Sequence, residues 1–366
     1  MERIKLGDLC NPSQGQIKEQ PDALIDYIDI SAVDNESKTV TGYQTMTFGE
    51  SPSRARKRVQ KGNILVSTVR PNLNAVAVLE NDTPNITVAS TGFCVLDCRK
   101  TVDKRFVFNF CKSRAFIDAM VSQATGASYP AVSDKIVRSA LIPVYSYKEQ
   151  RSIGEVLDRV SGIIEKRKRE LTEMDELIKA RFVELFGTPG LDEKCWGIRR
   201  LGECCVLNPK KATDKRLISG LEVSFVPMPA VSEKGDIDPT EIKMYDDVKT
   251  GFTYFSEGDV LFAKITPCME NGKGAVARGL KNGIGFGSTE FHVMRPIDGL
   301  SDPYWLYSLS SFELFRNDAE ANMTGSAGQR RVPVTFLENF KVSLPPYKLQ
   351  KQFAEFVQQV DKSKVA

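Results

Sequence analysis

Histidine is nearly absent from this chain of 366 residues, in which His292 stands alone. One imidazole leaves little room for a histidine-rich metal site or a Ser–His–Asp type of catalytic triad. The eight cysteines contain no Cys-x-x-Cys pair, because three residues separate Cys94 from Cys98, and Cys204 is adjacent to Cys205. The composition therefore argues against a structural zinc site and against most histidine-based enzymes.

Long hydrophobic runs are also lacking. No apolar stretch approaches the roughly 20 residues of a membrane span, and the start "MERIKLGDLC" has no apolar segment of a secretory signal. The hydrophobic share of 41% and the charged share of 27% are ordinary for a globular protein. We therefore expect a cytoplasmic protein without membrane segments, and the length allows two or three domains.

Sequence motifs for catalysis are missing or incomplete. "SLPPYK" resembles the Asn/Asp-Pro-Pro-Tyr motif of amino-methyltransferases, but Leu344 stands where the amide or carboxylate should be. The Gly-rich "GIGFG" precedes a strand-like segment rather than a helix, and "NGKGAVARG" lacks the spacing of a P-loop. The nearest acidic cluster, in a turn-like setting, is Asp236, Asp238, Asp246 and Asp247. No catalytic site is predicted, and a metal-dependent nuclease stays open as an alternative.

Basic residues are present in runs rather than in excess. The formal net charge is only +3, yet short clusters recur in both halves of the chain, at residues 54–58, 166–169, 199–200, 210–211 and 330–331. Recurrent basic clusters at loop positions favour a polyanionic partner over a merely solvated surface.

The chain repeats itself at an offset of about 200 residues. Residues 141–150 ("LIPVYSYKEQ") and 343–352 ("SLPPYKLQKQ") both pass from a proline turn into a helical start. Further pairs occur in the same order: "KLGDLC" and "RLGECC", "GNILVSTVRP" and "GDVLFAKITP", "STGFCVL" and "STEFHVM", "ATGAS" and "MTGSA". Most of these segments have strand-like patterns, and helical spacing follows them. Each half is therefore predicted to be a mixed unit of strands and helices.

A long helix is predicted between the halves, over residues 148–187. Apolar residues recur there at steps of three and four, which is typical of a coiled-coil seam, and Gly187 ends the pattern. A helix of this length spans on the order of 50–60 Å. The second copy begins the same helix at Gln350, and the sequence ends at Ala366.

The duplicated segments, the "TGAS" and "TGSA" loops and the proline-to-glutamine helix entries resemble the specificity subunit of type I restriction–modification enzymes. This resemblance implies an α+β fold with two tandem target-recognition domains, at residues 1–147 and 188–346. Between and after them would lie a spacer helix at 148–187 and a second, truncated helix at 347–366. The helices would pair as an antiparallel coiled coil and set the gap in a split DNA target.

The resemblance also implies the partners. Double-stranded DNA, two methyltransferase subunits and restriction subunits would assemble on a chain that is itself non-catalytic. S-adenosylmethionine, ATP and Mg²⁺ would be bound only by the partner subunits. Besides a nuclease, a structural or inhibitory interaction protein built on the same scaffold stays open.

Candidate DNA-reading residues follow from side-chain chemistry. Arginine and lysine suit guanine, amides suit adenine and carboxylates suit cytosine. In the first half the candidates are Arg70, Ser128 and Tyr129; in the second half they are Lys264, Thr266, Glu270, Asn271, Lys273, Ser326, Gln329, Arg330 and Arg331. Four basic residues are predicted to contact phosphates and so to position the protein without reading sequence: Arg54, Arg56, Lys57 and Arg58.

A last expectation concerns the unequal helices. If they pair antiparallel, the shorter one is expected to leave part of the face around Leu171, Met174, Ile178 and Phe182 uncovered. An exposed apolar stripe of this kind favours association, so self-association of the chain is predicted.

Overall fold

The computed structural model of the chain describes residues 2–13, 15–18, 20–326 and 328–365. The chain divides into two compact units, Met1–Arg167 and Lys168–Ala366. The division falls inside the longest helix, so each unit contains one half of that helix.

Unit 1 combines short strands with four helices. The strands are β1 (Arg3–Lys5), β2 (Leu24–Ile28), β3 (Gln44–Thr47), β4 (Ala55–Arg58), β5 (Ile64–Ser67), β6 (Val76–Val78), β7 (Ile86–Ser90), β8 (Phe93–Leu96) and β9 (Leu141–Pro143). The helices are α1 (Lys104–Lys112), α2 (Arg114–Val121), α3 (Asp134–Ser139) and α4 (Tyr147–Phe186). The sheet orders are β3-β2-β7-β4, β6-β5-β8 and β1-β9, and among the described strands of unit 1 only the β2–β7 pair is parallel.

Unit 2 repeats this plan. Its strands are β10 (Ile198–Arg200), β11 (Cys205–Leu207), β12 (Glu222–Val226), β13 (Ile242–Met244), β14 (Thr253–Ser256), β15 (Val260–Ala263), β16 (Gly274–Val276), β17 (Ile284–Gly287), β18 (Phe291–Pro296) and β19 (Lys341–Ser343). Its helices after α4 are α5 (Leu201–Cys204), α6 (Tyr245–Val248), α7 (Pro303–Ser311), α8 (Glu313–Ala321), α9 (Val334–Asn339) and α10 (Tyr347–Val365). The orders β13-β12-β17-β14, β11-β18-β15-β16 and β10-β19 repeat those of unit 1, with β12–β17 as the parallel pair and with β11 added as a fourth strand beside β18. The predicted duplication and the α+β class are confirmed.

The repeated "GN" and "GD" turns show why the sequence motif recurs. Gly62 and Gly258 both have positive φ, at +91° and +83°, which glycine adopts without strain. The next side chain closes the turn: Asn63 Oδ1 accepts from the Gln60 N–H at 3.0 Å, and Asp259 Oδ2 accepts from the Ser256 N–H at 2.7 Å. Both turns then feed a strand whose residues are all buried, β5 or β15.

The two helix entries are fixed by a buried glutamine. Gln150 accepts from the Asp103 N–H at 3.1 Å and donates to the Tyr145 carbonyl at 2.8 Å. Gln350 likewise accepts from the Asp302 N–H at 2.8 Å. Asp103 and Asp302 are the N-caps of α1 and α7, so each glutamine ties the start of a long helix to the start of an earlier one. A buried amide without such partners would cost about 1–3 kcal/mol, which accounts for glutamine at both positions.

Helix α10 packs antiparallel against the carboxyl-terminal half of α4. The Phe353 ring lies 5.6 Å from Phe182 and 5.3 Å from Phe186, measured between ring centroids. Near the other end of α10, Lys364 Nζ lies 2.8 Å from an Asp175 carboxylate oxygen. As the chain of α10 proceeds, its partners on α4 come from progressively earlier residues, which confirms the antiparallel pairing that the family resemblance implies.

The expectation that the face of α4 around Leu171, Met174, Ile178 and Phe182 lacks a partner helix is wrong, because α10 packs against this half of α4. Phe182 is only 2% exposed, and the other three are partly buried. Antiparallel pairing places the short α10 against this half of α4, because both lie next to the core of unit 2. In the sequence repeat, α10 corresponds to the amino-terminal half of α4, which suggested that the carboxyl-terminal half would lack a partner. The structure shows the reverse, because α10 covers the carboxyl-terminal half.

The exposed apolar stripe lies instead in the amino-terminal half of α4. Its side chains are 41–62% exposed; they are Val156, Leu157, Val160, Ile163 and Ile164. Among the described residues, neither α4 nor any other helix combines the length and apolarity that crossing a membrane requires.

Candidate nucleic-acid interface

In unit 1 the segment after β5 lies against the Gly126 loop. Arg70 takes the left-handed conformation, with φ 48° and ψ 61°, and Pro71 starts a short 3-10 helix. The Arg70 N–H donates to the Pro130 carbonyl at 2.7 Å, and Val69 forms an antiparallel bridge with Ala131. Two segments that are about 60 residues apart in sequence, "STVRP" and "TGASYP", therefore form one surface.

Two of the predicted reading residues are in contact on this surface. The Arg70 guanidinium carbon lies 4.8 Å from the centroid of the Tyr129 ring. Both side chains are exposed, Tyr129 by 67%, and so is the neighbouring Ser128. Stacking on an aromatic face restricts the guanidinium while its N–H groups stay available for an acceptor.

Unit 2 repeats this arrangement with different side chains. The Thr266 N–H donates to the Arg330 carbonyl at 3.0 Å, as Arg70 does to Pro130, and Ile265 bridges Arg331. Thr266 therefore occupies the position of Arg70. The two units present different chemistry from the same backbone frame.

Glycine is required at the turn of each loop. Gly126 has φ +100°, and a Cβ there would lie 2.8 Å from the Tyr129 carbonyl oxygen. Gly325 has φ +118°, and a Cβ would lie 2.9 Å from the Gln329 carbonyl oxygen. A side chain at either position would clash with the loop's own backbone, which explains the repeated glycine.

Thr266, Glu270 and Arg330 form a polar cluster at the unit 2 surface. The Thr266 hydroxyl donates to Glu270 Oε1 at 2.6 Å, and an Arg330 guanidinium nitrogen lies 3.8 Å from the same oxygen. Arg330 also lies 3.4 Å from a Glu320 carboxylate oxygen. Glu270 Oε2 is buried and has no hydrogen-bond partner among the described residues.

The remaining candidates of unit 2 divide into exposed and anchored side chains. Asn271, Ser326 and Gln329 are exposed beside the cluster. Lys273 is partly buried, and its ammonium donates to the Met228 carbonyl at 3.3 Å. Lys273 is thus held inside unit 2 rather than presented at the surface.

Arg331 and Lys264 form a second group, around Glu290. Arg331 makes a forked ion pair with Glu290, at 2.8 and 2.9 Å, and this pairing lowers the pKa of the Glu290 carboxyl. Burial lowers the pKa of the Lys264 ammonium, while the nearby Glu290 charge opposes the shift. Glu290 therefore pairs directly with Arg331 and lies close enough to Lys264 to influence its charge.

His292 lies under this group and is structural. Its Nε2 donates to the Val332 carbonyl at 2.8 Å, so its Nδ1 accepts from the Asn208 amide at 3.2 Å. Burial lowers the pKa of His292, which keeps the ring neutral and consistent with this tautomer.

A basic concavity of about 600 Å³ opens beside His292. Its charged lining residues are all cationic among the described residues: Lys210, Lys211, Lys249, Lys264 and Arg331. The Lys211 ammonium donates to the Lys249 carbonyl, and Lys249 pairs with Asp246 at 3.1 Å. In the sequence, residues 210–211 stand out only as a charge run, and Lys249 carries no signal because the other cations of the concavity come from distant segments.

The basic run at residues 54–58 does not form one surface. Arg54 pairs with Asp29 at 2.6 Å and accordingly faces the end of β2. The Arg56 guanidinium lies over the Phe48 ring, 5.1 Å from its centroid. Both side chains already have partners within unit 1.

Lys57 and Arg58 lie apart from these two. Lys57 is mostly buried and forms an ion pair with Asp134 at 2.5 Å, so the predicted phosphate contact is corrected to an internal one. Arg58 is exposed in a depression that Asp22 and Asp82 also line. A strand points successive side chains to opposite faces, which is why a continuous run in the sequence becomes dispersed.

The four aspartates of the alternative metal cluster serve local turns or stay apart. Asp246 accepts from the Ser219 hydroxyl and the Gly220 N–H, and Asp238 accepts from Thr240. Within the described ranges, no three His, Cys, Asp or Glu side chains are grouped as a metal site would require.

Comparison with known proteins gives the same family twice along the chain. The model for the type I restriction modification DNA specificity domain matches residues 1–173 and 193–366. The specificity subunit of the type I restriction enzyme EcoEI from Escherichia coli is 39% identical over 219 residues, covering 57% of this chain and 34% of that protein. The EcoAI specificity subunit, also from Escherichia coli, is 37% identical over 227 residues, covering 59% and 36%. These alignments span about a third of the curated relatives.

A solved structure shows the same fold at low identity. The crystal structure of a type I restriction–modification S subunit from M. genitalium matches with a TM-score of 0.55 at 14% identity, covering 99% of this chain and 90% of that one. Since the family model matches both halves, the chain belongs to the type I restriction–modification DNA specificity family.

Proposed function

We propose that this chain is the DNA-reading subunit of a type I restriction–modification complex, in which unit 1 reads one half of a split target and unit 2 reads the other. The observation that carries the proposal is the duplicated contact between a post-strand segment and a glycine loop, with Arg70 on one and Thr266 on the other. The same backbone arrangement carries different side chains in the two units, which suits the reading of two different half-sites.

The basic concavity of unit 2 is assigned to the DNA backbone. Its cations outnumber the two carboxylates, Glu290 and Asp246, that pair with members of the set. Phosphate contacts position a protein on the duplex, and neighbouring exposed side chains then reach base edges. Asn271, Ser326 and Gln329 are exposed beside the Thr266 cluster and are assigned to reading.

Helix α4 is assigned to the spacing of the two half-sites. Its 40 residues form one continuous helix of about 60 Å. Half-sites one helical turn of DNA apart lie about 34–36 Å from centre to centre, so the helix is long enough for this purpose.

Catalysis is assigned to partner subunits in the cytoplasm. Two methyltransferase subunits would bind S-adenosylmethionine, and restriction subunits would use ATP and Mg²⁺. The curated relatives are described as specificity subunits of restriction enzymes, which supports this division of labour.

The proposal is tested by reconstitution with methyltransferase subunits from the same source organism. Duplex DNA carrying a randomised library is incubated with S-adenosylmethionine, and methylated bases are mapped. Methylation of one split motif by the complex, with none by either component alone, is the expected result. Methyl transfer or Mg²⁺-dependent cleavage by the purified chain alone would contradict the assignment.

A further inference from the structure

Two cysteines of unit 1 face each other across neighbouring backbone segments. Cys10 follows a short 3-10 helix, Leu6–Leu9, and Cys98 lies two residues beyond the end of β8. They are direct partners in an antiparallel bridge.

The backbone hydrogen bonds define the geometry of this pair. The Asn11 N–H donates to the Asp97 carbonyl at 2.7 Å, and the Arg99 N–H donates to the Leu9 carbonyl at 3.0 Å. Bonds on both sides, and none between the two cysteines themselves, identify a non-hydrogen-bonded pair. In such a pair the Cα atoms lie about 4.5 Å apart, and the side chains approach closely. Disulfides span Cα separations of about 4.4–6.8 Å, so the backbone already allows the bond.

The side chains of Cys10 and Cys98 interact, and the interaction makes Cys10 the more readily ionised of the two thiols. The hydrogen bond from Cys98 is the main cause that lowers the pKa of Cys10, and the positive charge of Arg138 adds to it. The same interaction, together with burial, raises the pKa of Cys98. By contrast, burial raises the pKa of Cys94 to about 12.

The repeat provides a natural comparison inside the same chain. Cys205 occupies the position of Cys10 in unit 2, and its bridge partner is Pro296. The cross-strand dithiol is therefore confined to unit 1, although both units share the backbone pairing.

We propose that Cys10 and Cys98 are a redox-active dithiol that hydrogen peroxide converts to a disulfide. The Cys10 thiolate attacks one peroxide oxygen, the O–O bond breaks, and the leaving hydroxide takes up a proton to give water and a Cys10 sulfenic acid. The Cys98 sulfur then attacks the Cys10 sulfur, and the hydroxyl leaves as a second water with the Cys98 proton. Two thiols lose two electrons in total, and one peroxide gains them.

The disulfide would close a loop that contains residues 11–97, with β2 to β8. Arg70 lies within this loop, so the bond would tie the amino-terminal segment to the sheet next to the proposed reading surface. Unit 2 would be unaffected.

The test uses the full chain with Cys195→Ser, because Cys195 is exposed and would otherwise react first. After peroxide treatment the protein is unfolded in the presence of an alkylating agent, and thiols and disulfide-linked peptides are measured by mass spectrometry. The seven cysteines left of the original eight are expected to give five alkylated thiols. One linkage, Cys10 to Cys98, is expected, and dithiothreitol should restore all seven thiols.

Two further variants separate this outcome from general oxidation. Adding Cys10→Ser should abolish the linkage, while adding Cys205→Ser, at the matched position, should leave it unchanged. Seven thiols after peroxide, or linkage of Cys10 to Cys94 or Cys111 instead, would overturn the proposal. The thiols are also counted in the protein that carries Cys195→Ser alone. The result therefore does not depend on whether one of the further serine variants misfolds.

Discussion

Replacing Arg70 by alanine should weaken the reading of a single half-site. A bidentate arginine–guanine contact is worth about 1–3 kcal/mol of discrimination, which corresponds to roughly a 5- to 150-fold loss of affinity for the preferred half-site. The Tyr129 ring, 4.8 Å from the guanidinium carbon, contributes by orienting it. A stack at an exposed site is worth about 0.5–1 kcal/mol, so Tyr129→Ala should cause a smaller loss, about 2- to 5-fold, at the same half-site. Both side chains are exposed, and stability should change little.

The assay is competition binding of the reconstituted complex with duplexes varied in one half-site at a time. Arg70→Lys is the matched control, because lysine keeps the charge and loses the planar fork. If Arg70 reads a base, Arg70→Lys should lose most of the discrimination between preferred and altered half-sites. If Arg70 only contacts a phosphate, Arg70→Lys should keep most of the affinity for DNA. Thr266→Ala, at the equivalent position of unit 2, should affect only the other half-site. Equal weakening on every sequence by Arg70→Ala would refute the reading role.

Phe353→Ala should lower the free energy of unfolding of unit 2 by about 3–5 kcal/mol, because the ring is fully buried against α4. Ile153 occupies the same repeat position but is only partly buried, so Ile153→Ala should lower the free energy of unfolding by less. Equal losses for the two variants in denaturant titrations would contradict this prediction. Wild-type protein should lose stability as the pH falls below about 6.5, because the folded pKa of His292 is depressed and the unfolded chain binds the proton first. His292→Gln should flatten this dependence in thermal melts, and an unchanged slope would exclude His292 as its source. Charge reversal at Lys210 or Lys249 should weaken binding to all sequences and reduce the salt dependence by about one phosphate contact, whereas an effect on one sequence alone would indicate base reading.

The sequence predicted the duplication because local chemistry repeats with it. Gly62 and Gly258 need positive φ, and Gln150 and Gln350 satisfy the same buried groups, so each pattern had a physical cause that the structure confirms. Helix α4 was likewise predicted to within a residue of its observed bounds, since its apolar spacing is long and regular.

Long-range contacts were harder to predict. Lys57 and Arg58 look alike in the sequence, and only the strand pleat and Asp134 show that one is internal and the other exposed. The half of α4 that α10 covers depends on which half lies against the unit 2 core, and no residue of α10 specifies that locally. The stack of Arg70 on Tyr129 joins segments about 60 residues apart for the same reason.

The most direct test of the central claim is the methylation pattern after insertion of seven helix-forming residues at Lys168. This site precedes the contacts of α10 at residues 175–186, so the packing within unit 2 is retained. Seven residues add roughly 10 Å to the helix, or about three base pairs of DNA. Mapping of methylated bases should show both half-sites unchanged and a gap wider by about three base pairs. An unchanged gap, or an altered half-site, would contradict two reading units separated by a helical spacer.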